Sequence, residues 1–139
     1  MNISKKGLDL IEMFESFEPK PYVCPAGKLT IGYGHVIRDG EKFTTISIHK
    51  AEEILANDCK IAENAVNAVS DKLNQNQYDA LCAFVFNVGN NAFLTSTMRK
   101  KILADDMPAN EFDRWVHAKG KVLKGLVKRR AAEKALFLS

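Results

Sequence analysis

No stretch of this chain approaches the roughly 20 consecutive apolar residues that a membrane-spanning helix requires. No export signal is expected from the first residues either. In Met1-Asn2-Ile3-Ser4-Lys5-Lys6-Gly7-Leu8-Asp9-Leu10-Ile11-Glu12, Asp9 and Glu12 interrupt what would have to be a signal peptide's apolar core. Cysteine is scarce. Cys24, Cys59 and Cys82 are an odd set at spacings that fit no zinc motif, and without export they are expected as free thiols in a reducing cytoplasm. No glycine-rich phosphate loop and no His/Cys ligand cluster is present, so neither a metal nor a cofactor is expected. Internal repeats and low-complexity segments are also missing, and nothing marks a second domain.

What is there suits one soluble globular domain. The 139 residues are 46% hydrophobic and 27% charged, enough to bury a core without staples. The net charge of +3 is mild but unevenly placed. Lys119, Lys121, Lys124, Lys128, Arg129, Arg130 and Lys134 face only Glu133 over the same stretch, a face suited to nucleic acid, a membrane surface or a bacterial wall.

The hydrophobic spacing predicts a first helix from a Ser4 cap to about Phe14, with Ile3, Leu8, Leu10, Ile11 and Phe14 near one face. Pro19 and Pro21 forbid its continuation. Residues 28–37 read as one or two short strands, Arg38-Asp39-Gly40 as a turn, and Phe43-Thr44 as a further short strand. From Ser47 a long helix is expected to about Val69. A second, apolar almost all round, runs from near Asn76 to a stop at Gly89. Shorter helices are expected at 92–93, 97–104 and 108–117, and a last one from Leu123 or Gly125 to Leu138. The class is therefore α+β and mainly helical. A small β lobe (about 15–46) and a larger helical lobe (about 47–139 with the first helix) are joined by the helix after Ser47, with a cleft between them.

Three groups of different elements are candidates for that cleft: Glu15 at the end of the first helix, Cys24 in a Pro-flanked loop, and Thr30 on a Gly-punctuated strand. A Glu beside Phe14 and Phe17 can act as an acid if partial burial favours its neutral form. The bland reading is a surface carboxylate, poorly placed against the helix dipole.

The spacing Glu15…Cys24…Thr30 followed by Ile31-Gly32-Tyr33-Gly34-His35 resembles the catalytic unit of the phage-type lysozymes, glycoside hydrolase family 24. Gln77-Tyr78-Asp79-Ala80-Leu81, Phe84-Val85-Phe86-Asn87-Val88-Gly89, Ser96-Thr97-Met98, Phe112-Asp113-Arg114-Trp115 and Gly125-Leu126-Val127-Lys128-Arg129-Arg130-Ala131-Ala132-Glu133 resemble the family's other segments in the same order. The resemblance implies one lysozyme-like domain over 1–139. It implies an endolysin, a muramidase cutting the β-1,4 bond between N-acetylmuramic acid and N-acetylglucosamine in peptidoglycan, with inversion in the family's best-known members. Glu15 would be the acid, Thr30 a hydrogen-bonding partner of the attacking water, and Cys24 would stand where many members have Asp. Gly32, Tyr33, Asn87, Ser96 and one of Arg129 and Arg130 would meet the substrate, the other arginine serving the solvated basic face. A monomer stored in the host cytoplasm until a holin pore admits it to the wall also follows from the resemblance.

A thiol is a weak acceptor, and an ionised Glu15 nearby would raise its pKa, so Cys24 is expected as a neutral thiol. It is either a spacer or a source of minor thiolate acting as base or nucleophile. His35 is expected to be structural, paired with an acid on the long helix, and Phe112 and Trp115 to pack in the core. Two other activities compete: a lytic transglycosylase, which needs mainly the acid, and a basic nucleic-acid-binding module, for which no motif exists and which leaves the Glu–Cys–Thr unit unexplained.

Overall fold

The computed structural model describes residues 1–139. Helix α1 (Lys5–Glu15) leads into three antiparallel strands, β1 (Glu18–Val23), β2 (Leu29–Gly32) and β3 (His35–Val36), in the order β1-β2-β3. Helices α2 (Ile48–Asp58), α3 (Lys60–Asn67), α4 (Gln75–Val88), α5 (Asn90–Leu94) and α6 (Thr97–Leu103) follow. A 3₁₀ turn (Ala109–Arg114), a hairpin of β4 (His117–Ala118) and β5 (Lys121–Val122), and α7 (Lys124–Leu138) complete the chain. This is the mainly helical α+β arrangement expected.

The core is built on α4, where every residue from Tyr78 to Val85 is buried. Its start is fixed reciprocally: the Asn74 side chain accepts from the Gln77 N–H (2.9 Å) and the Gln77 side chain from the Asn74 N–H (3.0 Å). Gly89 ends it at φ +93°, a conformation that favours glycine. Phe84 of α4 meets Phe112 and Trp115 edge-on, each at 5.4 Å between ring centroids, so both aromatics pack in the core as expected. A second cluster joins Leu10 and Ile11 of α1 to Tyr33, Ala51, Leu55 and Cys59 and so holds the β lobe.

Several elements depart from the sequence reading. β1 occupies a segment for which no strand was expected. It is an edge strand, and its pairing with β2 is irregular between Glu18 and Tyr22, where Pro19 and Pro21 have no N–H to give. Phe43-Thr44 forms no strand. The helix after Ser47 is present and capped, with the Lys50 N–H donating to Ser47 Oγ at 3.1 Å. It is interrupted at Cys59, whose own backbone stays right-handed (φ −70°, ψ −12°), so α2 and α3 are two lengths of one interrupted path. The β4–β5 hairpin was not foreseen; Lys119 and Gly120 turn it at φ +52° and +77°.

Ser4 precedes α1 but does not cap it. Its hydroxyl donates to Asp79, and its N–H donates to Asp79 Oδ1 at 2.9 Å. The Ile3 N–H donates to Glu63 Oε2 at 2.8 Å, and the Tyr78 hydroxyl to the Met1 carbonyl at 2.8 Å. These bonds draw the first residues onto α3 and α4, and Gly7 lets them close. A Cβ on Gly7 would lie 2.6 Å from Ile3 Cγ1 and 2.9 Å from Asp79 Cβ. Gly to Ala inside a helix ordinarily stabilises by about 0.5–1 kcal/mol. Here overpacking opposes that gain, and Gly7→Ala is expected to destabilise by about 1–3 kcal/mol, read as a lower urea midpoint. A midpoint at or above that of the unsubstituted chain would show that the N-terminal segment yields freely.

Candidate active site

Glu15 is the last residue of α1, and Ser16 turns the chain away at φ +56°. The helix C-terminus repels a carboxylate, but here a cation intervenes: Arg129 Nη1 of α7 lies 2.9 Å from Glu15 Oε1, across 114 residues of chain. On the other side is Gly34, at φ +78° in the β2–β3 turn; a Cβ there would stand 2.8 Å from Glu15 Oε2. The carboxylate is therefore held between a guanidinium and bare backbone. Its side chain keeps 23% of its surface and lines a cleft of about 820 Å³. Gly34, His35 and Asp58 line that cleft with it, and the end of α4, with Asn87, faces them.

His35 braces the β lobe. Its Nδ1 is 2.8 Å from Asp58 of α2 and its Nε2 is 3.0 Å from Glu41 of the following loop, so it is paired with an acid on the first length of the long helix.

Cys24 sits half-exposed in the β1–β2 connection, where its N–H donates to the Lys28 carbonyl (2.9 Å) and its carbonyl accepts from Gly27 N–H (2.8 Å). The sequence argument that Glu15 would raise its pKa is corrected here. The backbone N–H of Lys28 and then the Thr30 hydroxyl hold the thiol below its usual value, because hydrogen bonds to a thiolate outweigh its desolvation. Thr30 is 2% exposed, and its Oγ1 also donates to the Lys28 carbonyl at 2.9 Å. One hydroxyl proton serves either acceptor, so ionisation of Cys24 would draw it from Lys28 to sulfur.

Cys24 and Thr30 do not line the cleft that Glu15 lines. A group that feels the charge of both Glu15 and Cys24 is Tyr22, missed in the sequence: its phenol is pushed up first by burial, then by Glu18, Glu15 and Cys24. The signal for it was alternation along β1, obscured by the prolines.

Of the expected substrate contacts, Asn87 is exposed in the cleft and Arg129 meets Glu15. The others lie elsewhere. Gly32 is buried against Ile46 and Ala51, and Tyr33, 7% exposed, packs on Phe17 in the second core cluster. Ser96 caps α6, accepting from the Arg99 N–H at 3.0 Å and donating to the Phe93 carbonyl at 2.7 Å. Arg130, expected on a solvated face if Arg129 met the acid, is 1% exposed and donates to the Asn87 side-chain oxygen. Glu133, also missed, lies between the two arginines; the Arg-Arg-x-x-Glu spacing, one helical turn, was its signal.

A family model described as phage lysozyme matches residues 12–133. The endolysin of Acyrthosiphon pisum secondary endosymbiont phage 1 is 43% identical over 148 residues, covering 100% of this chain and 99% of that relative. The endolysin of Bacillus phage B103 is 41% identical over 144 residues, and this chain spans 55% of its length. Among solved structures, a crystal structure of a P22 lysozyme mutant matches at TM-score 0.90 and 36% identity, covering 100% of this chain and 99% of that one.

The thiols divide sharply. Cys59 and Cys82 have no exposed surface, and burial pushes both up, Cys59 to about 12. A folded-state value raised above the ordinary 9.0 means that Cys59 favours folding below pH 9 and loses that contribution as pH rises toward 12. With excess Ellman's reagent at pH 8, the native protein is expected to release one equivalent of product quickly, from Cys24, and three in denaturant. Fast release of two or three equivalents from native protein would contradict this placement.

Proposed function

The chain belongs to the phage lysozyme family, whose members here are endolysins, and from that membership we propose that it cuts the β-1,4 bond between N-acetylmuramic acid and N-acetylglucosamine with Glu15 as general acid. That it is a peptidoglycan-hydrolysing glycosidase rests on the family; the bond and the residue roles are inferred from the site. The observation that carries them is a half-buried carboxylate lining an open cleft and held between Arg129 and the Gly34 backbone. A side chain so confined can meet a glycosidic oxygen without first paying to be ordered.

In this reading Glu15 gives its proton to the leaving oxygen, and a water attacks the anomeric carbon as that bond breaks. Cys24 takes the water's proton; it stands outside the residues lining the cleft with Glu15, so the water is served from the Tyr22 side, where Glu15 and Cys24 both act on the phenol. The Lys28 N–H and the Thr30 hydroxyl support this role, since they favour the thiolate over the spacer. Tyr22 lies within electrostatic reach of both groups. Asn87 contacts the saccharide from the opposite wall. No step calls for a metal.

The domain acts as a monomer over 1–139. No helix is long and apolar enough to cross a membrane. In this reading, as in the family resemblance, passage from host cytoplasm to the wall depends on a holin, and lysis without any pore-forming partner would refute that route.

Turbidity clearing of outer-membrane-stripped cells, with product ends identified, tests the chemistry. Glu15→Gln is expected to lose at least about 100-fold in rate, and the unsubstituted enzyme to leave reducing muramic ends. Anhydro ends would replace the hydrolase with a transglycosylase, and clearing by Glu15→Gln would remove the acid. Separately, Cys24→Asp is expected to stay active, whereas Cys24→Ser, which cannot ionise near neutrality, loses on the order of 100-fold. Full activity in Cys24→Ser would leave the residue as a spacer.

A further inference from the structure

Glu133 has no exposed surface, although it is a carboxylate on a helix otherwise rich in lysine. Its Oε2 lies 3.4 Å from Arg129 Nε and its Oε1 3.1 Å from Arg130 Nε. From there the two guanidiniums reach in different directions. Arg129 Nη1 goes to Glu15 at 2.9 Å, and Arg130 Nη2 to the side-chain oxygen of Asn87 on the facing wall. Each guanidinium also lies over a ring, Arg129 over Phe14 and Arg130 over Phe84, at 5.7 and 5.1 Å from the centroids.

We infer that Glu133 is a positioning residue for the reaction: one buried carboxylate sets both the arginine that orients Glu15 and the arginine that orients Asn87. This rests on the reading of Glu15 as the acid. The geometry leaves the arginines no other anchor of opposite charge, apart from Glu15 itself. Charge gives the link a direction. With both carboxylates ionised, the two cations are balanced. With Glu15 protonated, as the acid must be, one positive charge is in excess, and giving up the proton restores balance. Without the Glu133 charge, the excess is one unit greater in both states, and a proton on Glu15 is harder to keep. The other groups that line the cleft with Glu15 are the Asn87 amide from α4, His35 of β3 and Arg38 just after it, and Asp58 of α2, while the Tyr22 phenol of β1 feels the charge of Glu15 and Cys24. Burial pushes Glu133 up, to about 7, and the two arginines keep it from rising further.

The experiment compares Glu133→Gln and Glu133→Asp with the unsubstituted enzyme, reading kcat, KM and the pH profile per folded molecule, with Glu15→Gln as control. Glu133→Gln is expected to lower kcat on the order of tenfold and to move the alkaline limb of the profile down by roughly one pH unit. Glu133→Asp keeps the charge but is too short to span both arginines. It is expected to restore the limb and only part of kcat. Unchanged kcat and profile in folded Glu133→Gln, even with a lowered melting temperature, would mark Glu133 as structural only and overturn the inference. If Glu133→Gln fails to fold, Glu133→Asp decides: reduced kcat with an unmoved limb supports positioning, and full kcat overturns it. Activity in Glu15→Gln would instead sink the reading of the acid.

Discussion

A helix with no polar face must be covered on every side, and in this molecule the covering of α4 places nearly everything else. Helices α1, α3, α5 and α7 pack around it, and Phe112 of the 3₁₀ turn meets its Phe84. Two of these, α1 and α7, lie far apart in the chain and meet only because both need the same apolar surface. Their meeting brings Arg129 to Glu15. The pair is thus a product of hydrophobic burial rather than its cause. An ion pair this buried gives little net stability once desolvation is counted, whereas losing one partner would leave a stranded charge.

Charge is used in two ways along α7. Lys124 and Lys128 are exposed, while Arg129 and Arg130 turn inward and are consumed by Glu15, Glu133 and Asn87. A basic stretch that looks uniform in sequence is therefore two populations, one solvated and one built into the site. Arginine suits the inward role because its planar fork serves several acceptors at once and stays charged when buried. A lysine at either position would offer one point of charge where the structure uses a fork.

Helical elements were legible because their signals are local: the Ser47 cap and the Gly89 stop each mark an end through bonds between near neighbours. Glu15 was legible through its setting, an acid at the end of an apolar-faced helix ahead of a glycine-rich turn. What could not be read depends on distant partners. Neighbours on a helix point about 100° apart, so which of Arg129 and Arg130 faces the acid is settled only by how α7 sits on α4 and α1. Tyr33 and Ser96 carry groups that suit a sugar, yet one fills the β-lobe core and the other caps α6. β1 was hidden because proline argues against a strand unless the strand is known to be an edge, which is a fact of topology.

The bonds that draw the first residues onto Glu63 and Asp79 impose an order on the chain's own birth. Synthesis runs from the N-terminus, so α1 emerges long before the residues that fasten its start, and it must wait with its apolar face uncovered until α4 has been made. The clamp on Glu15 waits longer still, for α7. A chain that stops short of its last helix would own Glu15 and much of the cleft, but not the guanidinium that holds that carboxylate in place.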